Sequence, residues 1–407
     1  MGFDSCSIGA HKNNNNTNNL DELALKFAKE VGARPRPIES SSETDSRGVF
    51  VRQANQLITP FGEKEDELPV EKGRYKIYWK HGCHWSNRPL IVRDILGLED
   101  VFDDITTGPL GKGVYGHAFP DQKDYKDPST GFYFLSQAYE NAQPGFKGRP
   151  TTPTIVDLKT KKAVNNDYHR LSNYLEVQFR KFQKPDAPDL YPVKYRKEID
   201  EFNDWLFPTI NNARYRMWFA TSWEAYNEGY IDFHDSLEKL DKRLETNRFL
   251  FGDYVTDSDI RLYLSLVRWE TTYPHTVGPQ KKRISEYKNI WEYTKDLFSI
   301  PEFKRYTWFE FPKAEDGERV EDSFFEKIAA KIPWEKLWAS DGSRKKLSND
   351  PDNIYLKHPK DETIEDYVKD ISVSKWNSKE QKDRDPRNVT ISVEPSINPL
   401  KGLLKNN

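Results

Sequence analysis

Apolar positions along this chain change their period near its middle. Before about residue 185 they come in short runs bounded by turn formers. After it they recur at helical spacing. Tyr75–Lys80 reads as a strand rich in Tyr, Ile and Trp, broken by His81-Gly82. Ile91, Val92, Ile95 and Leu96 then follow a 3.6-residue period, and Gly97 is placed to stop a helix. The pair predicts a βα unit with Cys83 in its turn. Phe102–Thr106 reads as a second strand, Thr151–Asp157 as a third entered through Pro153, and Ala163-Val164 as the start of a fourth. Asn165-Asn166-Asp167 can cap a helix running to about Phe179, with Leu171, Tyr174, Leu175 and Phe179 inward.

Pro185–Tyr195 reads as a Pro-rich linker. Beyond it come Ile199–Phe207, then a long helix over Trp223–Leu244 with Tyr226, Tyr230, Phe233, Leu237, Leu240 and Leu244 on one face. Thr256 and Asp259 have capping-box spacing ahead of a buried helix through Leu262, Leu264, Leu266 and Val267, and Ile290–Phe298 makes another. Outside these elements the chain is polar. Met1 to roughly Asn19 is Asn-rich and reads as disordered, Leu20–Val31 as a short amphipathic helix, and Ala33–Arg47 as linker. Gly48–Gly73 is an extended arm with anchors Phe50, Ile58 and Phe61. Gly108–Pro144 shows no clean helical period and reads as a site wall or a mobile stretch. From about Pro333 the chain is Pro-broken, with isolated anchors Trp334, Trp338, Tyr355, Tyr367 and Trp376. This gives a tail and linker over 1–47, an α/β domain with its arm over 48–180, an all-helical domain over 181–332 and a polar extension over 333–407.

Composition narrows the function. With 62 basic and 65 acidic residues the net charge is −3, so nothing favours nucleic acid or an anionic membrane as partner. No apolar run reaches spanning length, and the first residues carry no signal core. These features point to a soluble, cytoplasmic protein. Mean hydropathy is −0.87, yet aromatic residues make up 14%, so a substantial core coexists with long polar segments. Cys6 and Cys83 are the only cysteines, too few for a disulfide framework or a zinc cluster, and the eight histidines show no metal-ligand spacing.

Cys83 is the first candidate for chemistry. A thiolate is the nucleophile, and a thiol with the ordinary pKa of about 8.5 is mostly protonated at neutral pH. The positive end of a helix favours the thiolate. Pro89, suited to a first helical turn, suggests that the regular helix starts near Asn87 and that Arg88 or a nest of loop N–H groups shares the task. The competing reading is a small buried hydrophobe. Pro153 is the second candidate. In a thioredoxin-like fold it would be a cis-proline whose preceding residue offers backbone groups to a peptide; otherwise it is an edge or turn proline.

Over about Phe50 to Tyr306 the chain resembles the glutathionyl-hydroquinone reductases, the Xi-class glutathione transferases related to the Omega class. Their C-P-W-A-H-R is matched by Cys83-His84-Trp85-Ser86-Asn87-Arg88, followed by LIVRDILGLED. G-R-V-T-V-P-V-L is matched by Gly148 to Ile155, and V-N-N-E-S by Val164-Asn165-Asn166-Asp167-Tyr168. INNARYRMWFATSWEAY looks like I-N-N-G-V-Y-R-x-G-F-A-x-x-x-E-A-Y, and Tyr273 and Arg283 keep the family spacing from Arg268. The resemblance implies an N-terminal thioredoxin-like domain followed by an all-helical glutathione-transferase domain, and a homodimer. It implies glutathione as cosubstrate and a Cys83 mixed disulfide formed when an aromatic hydroquinone leaves. Tyr215 and Tyr273 would serve the quinol, with Tyr226 a weaker candidate. Trp85, Arg88, His117, Arg149, Thr152, Pro153, Asp167 and Tyr168 would line the glutathione pocket.

The departures cluster. His84 stands for Pro, Ser86-Asn87 for Ala-His, Tyr168 for Ser, and His117 for a tryptophan beside glutathione. They leave open an altered glutathione affinity, use of another small thiol, or a relict site serving binding and assembly.

Overall fold

The computed structural model describes residues 16–36, 43–52, 54–307, 333–360 and 362–365. Helix α1 (Asn16–Val31) begins inside the Asn-rich run, earlier than its apolar spacing suggests. The arm then makes a parallel two-residue pairing, β1 (Phe61–Gly62) with β2 (Leu68–Pro69). The main sheet holds β3 (Tyr75–Trp79), β4 (Phe102–Thr106), β5 (Thr154–Asp157) and β6 (Lys162–Asn165) in the order β4-β3-β5-β6. β3 runs parallel to β4, with Tyr75 opposite Phe102, and antiparallel to β5, with Ile77 opposite Ile155. This sheet with helices on both faces is the thioredoxin-like arrangement.

β3 is buried at every residue, which explains why it reads as a nearly continuous apolar run. Tyr75, Ile77 and Trp79 face the core shared with α2 (His84–Leu96). Tyr78 faces a second core with Ile105, Val156 and α3 (Leu135–Ala142). Helix α3 lies within the stretch read as irregular: one buried face of Leu135, Ala138 and Tyr139 suffices for two turns, too short to raise a period above its Gly- and Pro-rich surroundings. Lys76 is also buried on this side, bonded to Asp127 at 3.1 Å and Ser129 at 2.7 Å. The helix after β6, α4 (Leu171–Glu176), is shorter than its pattern suggests; the chain passes into irregular turns before Phe179, which is buried all the same.

The second half is helical: α5 (Arg196–Leu206), α6 (Ala213–Trp218), α7 (Trp223–Leu244), α8 (Asp257–Thr271), α9 (Pro274–Val277), α10 (Lys288–Phe298) and α11 (Pro301–Arg305). The Thr256–Asp259 capping box forms, with Asp259 Oδ2 accepting from the Thr256 N–H at 2.8 Å. One apolar cluster runs from Tyr75 and Leu90 through Leu206, Leu237, Leu264 and Leu297, so both halves share a core.

Residues 333–360 continue that core instead of trailing from it. Trp338 is fully buried against Trp291 and Phe298. Arg344 is 2% exposed and donates to the carbonyls of Leu244, Asn247, Arg248 and Asn289, closing the C-terminal end of α7. Burial holds its guanidinium down at about 10. Cys6, Tyr367 and Trp376 lie outside the described residues.

Candidate active site

Helix α2 starts at His84, so Cys83 is its N-cap residue, in extended geometry (φ −89°, ψ 109°). The Cys83 carbonyl accepts the first helical bonds from the N–H groups of Ser86 and Asn87, both at 3.0 Å. Pro89 therefore sits inside the helix, correcting the later start that it suggested. It lacks the N–H that would reach the Trp85 carbonyl, and the rest of the helix is held by packing, since all thirteen of its residues are buried. The thiol is itself buried, in a cluster with Phe50, Trp85, Tyr168, Phe207 and Tyr215.

The Thr152–Pro153 peptide is cis and leads into β5. Beneath it lies Tyr139, which sequence reasoning missed. Its hydroxyl is 2.7 Å from Thr154 Oγ1 and 3.1 Å from the Thr151 carbonyl, and it accepts from Asn166 Nδ2 at 3.0 Å. Tyr139 thus ties the cis-proline turn to the Asn165-Asn166-Asp167 turn. The arm binds that second turn from the other side. Asn166 N–H donates to the Leu57 carbonyl at 2.8 Å, and Asn165 Nδ2 to the Thr59 carbonyl at 2.8 Å.

Asp167 is 4% exposed, and burial pushes its carboxyl up despite the His169 N–H, nearby Arg170 and the Asn55 side chain. Tyr168, beside it, packs on Trp85 with ring centroids 5.0 Å apart. Arg88 is buried and donates to the Tyr168 carbonyl at 3.2 Å; burial and Arg261 lower it to about 9. Arg149 forms a two-point ion pair with Glu43 at 3.0 and 3.2 Å. His117 lies between β4 and α3, with Nδ1 3.1 Å from Thr107 Oγ1.

From the helical half, Tyr215 of α6 and Tyr273, at the start of α9, reach the residues just after Cys83. Trp85 Nε1–H donates to the Tyr215 hydroxyl at 3.1 Å, and His84 Nδ1 lies 2.6 Å from the Tyr273 hydroxyl. Tyr226 donates to the Val277 carbonyl at 2.7 Å, at the far end of the short helix that Tyr273 begins. Arg52 of the arm is a second missed residue. Its guanidinium lies 4.3 Å from the Tyr215 ring centroid, 5.3 Å from Trp85 and 5.7 Å from Tyr168, with a 3.0 Å bond to Asn212 Oδ1. His84 is fully desolvated and faces the positive charges of Arg88, Arg268, Arg52 and Arg214, which together hold its imidazole far below the usual range and hence neutral. The arrangement offers a helix-capping thiol, a backbone edge at a cis-proline, two phenols and an electropositive wall.

Apart from this site, Asp189, His358 and Glu362 bring possible metal-ligating atoms within 4.8 Å of one another, a grouping distant in sequence that spacing could not reveal. His358 Nδ1 lies 2.8 Å from Glu362.

A family model described as glutathione S-transferase, C-terminal domain, matches residues 224–296. The chain is 34% identical over 235 residues to glutathionyl-hydroquinone reductase YqjG of Escherichia coli, covering 57% of this chain and 71% of that protein. It is 33% identical over 246 residues to glutathionyl-hydroquinone reductase PcpF of Sphingobium chlorophenolicum, covering 60% and 77%. Among solved structures, the glutathione-S-transferase Xi of Phanerochaete chrysosporium superposes with a TM-score of 0.62 at 32% identity, over 66% of this chain and 87% of that one. The glutathione-bound structure of YqjG superposes with a TM-score of 0.55 at 32% identity, over 64% and 86%.

Proposed function

The chain belongs to the glutathionyl-hydroquinone reductase family of the glutathione transferases, and from that premise we propose that it uses glutathione to reduce S-glutathionyl hydroquinones through a mixed disulfide on Cys83. The observation that carries the reading is Cys83 at the N-cap of α2, in one buried cluster with Trp85, Tyr168 and Tyr215. In the first step the Cys83 thiolate forms an S–S bond to the glutathionyl sulfur. The electron pair of the aryl C–S bond passes to the ring carbon, which takes a proton from a tyrosine, Tyr215 or Tyr273. In the second step the thiol of another glutathione gives its proton back to that tyrosine. Its thiolate then attacks the glutathione sulfur of the mixed disulfide, releasing glutathione disulfide and the Cys83 thiolate. The hydroquinone is formed, one free glutathione is consumed, and it leaves with the conjugate's glutathione as one glutathione disulfide per turnover.

In this reading Thr152, ahead of Pro153, presents its backbone to the cysteinyl part of glutathione. Asp167 receives the γ-glutamyl ammonium, and Tyr168 with Trp85 walls that end. Arg149 exchanges Glu43 for a glutathione carboxylate. Arg88 and His117 act from behind the pocket. The helix dipole and the electropositive wall favour the thiolate. A homodimer in the cytoplasm completes the reading; no helix among the described residues is long and apolar enough to cross a membrane.

Intact-mass spectrometry after incubation with a glutathionyl-hydroquinone tests it, with Cys83→Ala as control. A glutathione adduct on the native chain alone, removed by added glutathione, is the expected result. No adduct while Cys83 still alkylates would mean that the pocket, with Tyr168 in the γ-glutamyl turn, takes another thiol. No adduct and an unreactive Cys83 would leave only a binding role.

A further inference from the structure

The two residues after Cys83 stand in matching positions. Trp85 Nε1–H and His84 Nδ1 each meet the hydroxyl of one active-site tyrosine, Tyr215 and Tyr273, at 3.1 and 2.6 Å. An indole is only a donor, so Tyr215 accepts from Trp85 and its own proton is left to point elsewhere. The family pattern has Trp at the first of these contacts but Pro at the second, and proline carries no ring N–H to give. We propose that His84 is a positioning residue for Tyr273: its Nδ1–H donates to the phenol oxygen, aims the phenol proton at the quinol carbon, and holds the phenolate left when that proton transfers.

The tautomer is assigned from the surrounding network. His84 is 2% exposed, and its Nε2 has no hydrogen-bond partner among the described residues. Were Tyr273 to donate to Nδ1, Nε2 would carry a buried N–H with no acceptor, the rarer and costlier arrangement. With the proton on Nδ1, Nε2 is a bare lone pair. The charged groups facing the ring agree. Arg88 comes from its own helix, Arg52 from the arm, Arg214 from α6 and Arg268 from α8; these cations bar imidazolium and favour a lone pair. The guanidinium carbons of Arg214 and Arg268 each lie 5.3 Å from the Tyr273 ring centroid, so a phenolate there is doubly compensated.

The inference rests on the reductase reading and deepens it, so its test separates the two. Purified His84→Phe, His84→Gln and His84→Pro are compared with the native chain in two reactions. One is reduction of a glutathionyl-hydroquinone, which needs a proton on carbon. The other is reduction of a glutathione–mercaptoethanol mixed disulfide, which needs Cys83 but no such proton. His84→Phe is expected to lower kcat for the quinol conjugate about tenfold with KM within twofold, while disulfide reduction falls less than twofold. His84→Gln, whose amide N–H can reach the phenol, recovers most of the loss. The alkaline limb of the quinol rate moves to higher pH in His84→Phe, because the phenol has lost a donor to its oxygen. Adding His84→Phe to Tyr273→Phe costs nothing further. An equal loss in both reactions, or full additivity with Tyr273→Phe, overturns the positioning role and makes His84 a packing residue. Disulfide reduction by the native chain with no quinol reduction overturns the quinol reading itself, and this inference with it.

Discussion

Single buried polar residues decide how this scaffold holds its site. Asp127 is fully buried and accepts from Tyr78, Thr130 and the Ser129 N–H while pairing with Lys76. Burial alone would raise its carboxyl, but these donors and the nearby lysine outweigh burial and hold it below the usual range. A carboxyl lowered on folding adds stability above its unfolded pKa, about 3.9. That stability is lost as pH falls through the folded value. Asp127→Asn leaves Lys76 its ion pair with Asp103 at 2.8 Å and its bond to Ser129. It takes the charged acceptor from Tyr78, Thr130 and the Ser129 N–H, and is expected to cost about 2 kcal/mol at pH 7 by urea unfolding. The difference from the native chain should shrink as pH falls towards 3. The same scale explains what reading residues alone could find. Cys83, Trp85, Thr152, Pro153 and Asp167 were legible as motif positions. Arg52, Tyr139 and the His84–Tyr273 contact were not, because an arginine in an arm or a tyrosine in a Gly-rich stretch carries no mark of what it will meet.

Among the elements, the cis-proline turn and the Asn166 turn are held by others packed against them. Tyr139 of α3 joins the cis-proline turn to the Asn166 turn through one hydroxyl. Tyr139→Phe leaves the ring in place and removes these bonds. By steady-state kinetics its KM for glutathione should rise about fivefold, for a net loss of about 1 kcal/mol, with kcat within twofold. The segment after Pro333 acts the same way on the helical half. Trp338→Ala opens a cavity between Trp291 and Phe298 and is expected to cost about 3–5 kcal/mol of unfolding free energy. Its thermal midpoint should fall while Cys83 alkylation in the folded protein keeps its rate. Long elements with a clear period, α7 and α8 above all, were legible. Helix α3 and the docked C-terminal segment were not, because two turns or a few isolated aromatics are too brief for periodicity to register.

Over the whole molecule, the shared core confers a pH dependence that no local segment has. Burial, reinforced by arginines, holds His84 and His169 neutral, far below the usual histidine range. Unfolded, each takes up a proton as pH falls below about 6.5, so the unfolded state binds more protons and stability declines with acidity. The slope approaches about 1.4 kcal/mol per pH unit for each histidine. His358, held down to about 4, and His81 and His234, also lowered by burial, add to the same slope. In urea unfolding between pH 7.5 and 5.5, His169→Phe should therefore remove no more than about a third of the histidine contribution. Periodicity and turn chemistry act between near neighbours, so the sequence by itself determined the βα unit around Cys83, the four strands, the long helices and, through joint motifs, the family. Only the tertiary structure decided that the arm, the C-terminal segment and the two halves close on one core. It alone brought Tyr215 and Tyr273 to Trp85 and His84. Such contacts join residues up to about two hundred positions apart, and they are selected by shape, burial and charge, which exist only once the chain has packed.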